Sequence, residues 1–118
     1  MDPKDVIKLK ARLNEKGDEF DKHVRLLAAH LKNKPKGSKN DDELIKAYES
    51  FYSKFETHLK VLETLSGQIH RLTKALPKGE DRQAAMGKIP GVREMLNQYR
   101  KSYEDGMRAL RTMKDRRN

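Results

Sequence analysis

The chain has 118 residues, no cysteine, and 27 Lys and Arg against 18 Asp and Glu, for a formal net charge of +9. This length fits one domain with a thin core, and the missing cysteines exclude disulfides and thiolate metal centres. No stretch approaches the ~20 apolar residues of a membrane span, and 38% charged residues suit long helices with one buried stripe and wide solvated faces.

The first helix is expected over residues 2–33. Asp2 is a good N-cap, Pro3 fits the first helical position, and Asp5 meets the positive end of the helix dipole. Its apolar stripe runs Val6, Leu9, Leu13, Phe20, Val24, Leu27 and Leu31. Gly17 interrupts that stripe at a cost of about 1 kcal/mol relative to Ala. The following segment, KNKPKGSKN, is a polar loop containing Pro and Gly.

The second helix is expected over residues 41–76, because Asn40 followed by Glu43 is a capping-box pattern and Pro77-Lys78-Gly79 stops it. This segment carries the strongest signal in the chain. Two interleaved seven-residue rows, Leu44-Phe51-His58-Leu65-Leu72 and Tyr48-Phe55-Leu62-Ile69-Leu76, put apolar side chains on one side of a helix. Ile45, Tyr52 and Leu59 widen the face enough to meet two neighbours at once. If these three were left exposed, they would instead offer a homo-oligomer contact.

The third segment keeps the same register through Ile89, Leu96, Tyr103 and Leu110, interleaved with Ala85, Val92, Tyr99 and Met113. Gly106 falls in the second row, where close approach of another helix is expected. Gly87, Pro90 and Gly91 lie inside the pattern, and an interior Pro costs about 3 kcal/mol. A short helix over residues 80–86, a break near Gly87–Gly91, and a main helix over residues 90–116 follow from that cost. The fold class read from these elements is all-α: an elongated up-down-up antiparallel three-helix bundle forming a single domain over residues 1–118.

This topology puts the loop after the first helix and the C-terminus at one end of the rod. Residues 27–48 and 108–118 then carry +6, residues 1–13 and 64–96 at the other end carry +5, and the waist is slightly acidic. The principal candidate binding surface is Lys32, Lys34, Lys36 and Lys39 of the loop with Arg108, Arg111, Lys114, Arg116 and Arg117 of the last helix. A secondary one is Lys4, Lys8, Arg12 and Lys16, four apart on the first helix. Four-residue spacing of like charge costs about 0.2–0.5 kcal/mol per pair.

A surplus of positive charge selects polyanionic partners. The reading is a non-catalytic interaction or scaffold module that docks an acidic protein surface in a larger assembly through its basic ends. The alternatives are nucleic acid held without base specificity through the same residues and an anionic membrane or cytoskeletal polymer. The membrane is less favoured, since the basic stretches lack neighbouring exposed apolar side chains. The polar C-terminus, KDRRN, contains no helix stop, as expected of a domain cut from a longer chain. No nucleophile–base pairing, glycine-rich phosphate loop or metal-ligand spacing is present, so neither an enzyme nor a cofactor is expected. His58 is expected as a half-buried register-fixing residue, with His23 and His30 beside the first stripe. The charged N-terminus, MDPKDVIKLK, is unlike a secretory signal, so a cytoplasmic or nuclear setting is expected.

Overall fold

A computed structural model describes residues 1–37 and 40–117, with only the backbone of residue 117. Three helices follow one another: α1 (Pro3–Leu31), α2 (Asp41–Ala75) and α3 (Glu80–Arg117). Each start has its local cause. The Asp2 side chain accepts from the Lys4 amide at 3.0 Å ahead of Pro3, and Asn40 accepts from the Glu43 amide at 2.9 Å. Leu76 leaves α2 in the extended conformation that a residue preceding proline prefers.

The expected break near Gly87–Gly91 is not found: α3 is one helix that passes through Pro90. Gly87, Pro90 and Gly91 are all exposed, and the carbonyl that proline leaves without a donor is that of the half-buried Met86, one turn earlier. The other face carries Val92, Met95 and Leu96 onto the core. That packing offsets the ~3 kcal/mol an interior proline costs. With α3 running 38 residues, the rod reaches 63 Å in length and is 18 by 16 Å in section, measured on Cα atoms.

The core belongs mainly to α2. Ile45, Phe51, Tyr52, Phe55, Leu59, Leu62, Leu65 and Leu72 are buried on it, against Phe20 and Leu27 of α1 and Leu110 of α3. Ile45, Tyr52 and Leu59 are 2%, 7% and 2% exposed. They are therefore interior contacts within one chain, and the condition for a homo-oligomer contact through them, exposure, is not met. The reason is the width of the α2 face, which packs on α1 along one edge and on α3 along the other.

The two outer helices touch α2 and not each other. Among the described residues, no Cα of α1 lies within 8 Å of a Cα of α3. In the half of the rod near the α1–α2 loop, large rings take up this separation. Phe51, Tyr52, Phe55 and Tyr103 stand in edge and stacked contacts, with centroids 5.0 to 6.4 Å apart. Gly106 sits against this cluster: a Cβ there would overlap the Tyr52 ring. The close approach expected at Gly106 is thus present, as the contact of a backbone with an aromatic edge.

Candidate docking surfaces

Two side-chain contacts tie down the end of the rod that carries the principal basic cluster. Tyr48 Oη donates to the Pro35 carbonyl at 3.2 Å, holding the loop against α2. Lys114 Nζ lies 3.5 Å from a Glu49 carboxylate oxygen, holding the end of α3 beside the same turn of α2. The loop cations Lys32, Lys34 and Lys36 and the helix cations Arg108, Arg111 and Arg116 are all exposed there. Arg108 is drawn to Asp105 one turn back, and Lys114 is half-buried by its pairing. Lys39 and the Arg117 side chain lie outside the described residues. Asp41, Asp42 and Glu43 occupy the first turn of α2 at this end, where the helix dipole favours them.

The row on α1 is not one surface. At about 100° per residue, steps of four drift by about 40° each, so Lys4 and Lys16 end up roughly a third of a turn apart. Lys4, Lys8 and Arg12 are exposed, whereas Lys16 is half-buried and 3.5 Å from Glu19.

His30 and His58 meet in the α1–α2 seam. His30 stacks on Phe51 at 4.5 Å, and its Nε2–H donates to the Phe51 carbonyl at 2.8 Å. His58 lies 5.9 Å from His30, ring to ring. Burial first, then the neighbouring His30 and His23, hold the His58 imidazole below its usual 6.5. The hydrogen bond that fixes this seam is therefore made by His30, not by His58. Among the described residues, no three His, Asp or Glu side chains are placed to hold a metal ion.

On the side facing α3, Tyr103 Oη donates to Glu56 at 2.7 Å, and Lys60 holds the other Glu56 oxygen at 2.6 Å. Burial, then that bond to a carboxylate, pushes the Tyr103 phenol up to about 12. Arg100 pairs with Glu63 a little further along. These contacts strap α3 to α2 at the waist.

At the far end of the rod the space between α1 and α3 opens into a groove of about 640 Å³. Its floor is apolar, with Leu13, Phe20, Ile69, Leu76 and Val92. Gly17, Ser66, Ala84 and Ala85 line it where large rings fill the other half. Thr73, fully buried beneath, satisfies its hydroxyl on the Ile69 carbonyl at 2.8 Å. Lys10 and Asp81 pair at 3.1 Å and join the starts of α1 and α3. No sequence period on a single helix marks this groove. Its trace in the sequence was the coincidence of small residues at one level of α1 and α3, legible only once the helices are aligned.

Comparison with known protein families, curated proteins and solved structures yields no match for this chain. No helix, among the described residues, is long and apolar enough to cross a membrane.

Proposed function

We propose that the protein is a non-catalytic helical-bundle module that docks an acidic protein surface through its basic ends, chiefly the loop and C-terminal cluster. The observation that supports this reading is the convergence of exposed Lys32, Lys34 and Lys36 with exposed Arg108, Arg111 and Arg116 beside one turn of α2. Cations on the α1–α2 loop and on a helix terminus, backed by a net charge of +9, steer an anionic partner and hold it by salt-sensitive contacts. The alternative reading is nucleic acid held by the same residues through its phosphates, without base readout.

The test compares a fluorescein-labelled glutamate-rich peptide with a labelled DNA duplex by anisotropy, at about 50 and 200 mM salt. The wild type and a variant with Arg108, Arg111, Arg116 and Arg117 all changed to Gln are titrated. The peptide should bind the wild type at micromolar Kd and lose about tenfold or more in the variant, with the thermal melt unchanged. Binding of the duplex alone, falling steeply with salt, would replace the acidic protein with nucleic acid. Failure of both probes at the lower salt, or a variant that binds undiminished, would refute the basic-end reading.

A further inference from the structure

The groove between α1 and α3 has the shape of a missing helix. α2 contacts both outer helices while those two stay apart, which is the arrangement of three corners of a four-helix bundle whose fourth corner is empty. The groove is walled by α1 from Lys10 to Asp21 and by α3 from Asp81 to Val92. Each wall is about 17 Å long at 1.5 Å per residue, or about three helical turns. Ile7, 67% exposed, extends the α1 wall, since steps of seven place it in line with Asn14 and Asp21.

The rims differ in charge. The α1 rim carries Asp18 and Asp21, and the α3 rim carries Lys88; all three are exposed and line the groove. The only ion pair across the mouth among the described residues is Lys10–Asp81 at its lower end. Above it, carboxylates on one wall and an ammonium on the other flank a trough with an apolar floor. A second copy of the chain is a poor occupant, because the exposed large hydrophobic side chains among its described residues are Met1, Ile7 and Leu26, too few to form the apolar stripe the floor calls for.

We propose that the groove seats an amphipathic helix of another protein, antiparallel to α1 and α3. The apolar stripe of that helix covers the floor. Its Lys or Arg flank meets Asp18 and Asp21, and its Asp or Glu flank meets Lys88. The surface involved is separate from the loop and C-terminal cluster, and the proposal stands whether or not that cluster binds an acidic partner.

The probes are three stapled peptides of about 18 residues, long enough to overrun the groove and stapled because short isolated helices are marginal in water. All share one leucine stripe. One has the matched flanks, one has the flanks exchanged, and one has Gln on both sides. Anisotropy should give the matched peptide a Kd near ~10 µM, roughly threefold to tenfold tighter than the exchanged one.

Gly17→Leu and Ala84→Leu each place a side chain in the trough and should abolish binding. A Cβ at Gly17 meets nothing within 4 Å, so the first variant should melt no lower than wild type. The four-arginine variant should bind the matched peptide normally, which separates this site from the basic end. The proposal is overturned by no binding of the matched peptide at ~200 µM, by equal binding of all three peptides, or by undiminished binding in both filled variants. A dimer in sedimentation equilibrium that the filled variants dissolve would also overturn it, by assigning the groove to a second copy.

Discussion

Gly17 and Gly106 are both interior helix glycines, yet replacing each with alanine should move stability in opposite directions. On propensity alone, Gly→Ala in a helix stabilises by about 0.8–1 kcal/mol. At Gly17 the new methyl meets nothing within 4 Å, so that gain should appear in full. For a chain of this size it raises the melting temperature by roughly 3–6 °C. At Gly106 the methyl would overlap Oη, Cζ and Cε1 of Tyr52. The ring cannot swing away freely, because Tyr48, Phe51, Phe55 and Tyr103 surround it. Overpacking of this kind costs about 1–3 kcal/mol. Three overlapping ring atoms put the cost at the upper end, and a net loss of about 1–2 kcal/mol remains after the propensity gain. The melting temperature should fall by about 4–10 °C. Circular-dichroism melts and urea titrations of both variants measure these shifts. A double-mutant cycle assigns the cause: Tyr52→Phe removes only the hydroxyl and should rescue little, whereas Tyr52→Leu removes the ring and should remove most of the penalty specific to Gly106→Ala. A Gly106→Ala variant stabilised as much as Gly17→Ala would refute the packing of α3 on the Tyr52 edge.

Lowering the pH should weaken the α1–α2 seam. The fold holds the His58 imidazole below its unfolded value of 6.5, so the neutral form is favoured in the native state. The stability this contributes is present above that value and lost as pH falls through the depressed folded one. The urea midpoint should therefore drop between pH 7 and 5, and His58→Gln should flatten the drop; an unchanged slope in the variant would place the titration elsewhere. Tyr103→Phe should cost about 1–2 kcal/mol, since it removes a half-buried bond to the Glu56 carboxylate. In the wild type the neutral phenol is favoured up to about 12. That contribution is thus intact below pH 10 and lost as pH rises through about 12, and an alkaline melt series in which the gap between wild type and variant closes over that range would show it.

The sequence by itself determined the helices and the centre of the bundle. Seven-residue spacing on α2 identified Phe51, Phe55, Leu62 and Leu65 as interior, because a helix repeats its face whether or not its neighbours are known. Asp2, Asn40 and Pro77 marked boundaries through purely local backbone chemistry. Tertiary structure decided what depends on two segments at once. Pro90 sits within a continuous helix because its weak turn is exposed and flanked by packed residues, and local cost alone could not reveal that compensation. Ile45, Tyr52 and Leu59 became core and not surface only when α1 and α3 took opposite edges of α2. The pairing of Tyr103 with Glu56 and the contact of His30 with Phe51 span 47 and 21 residues and have no sequence period. The groove arose the same way, where small side chains on separate helices fall at one height and leave α1 and α3 with nothing large enough between them.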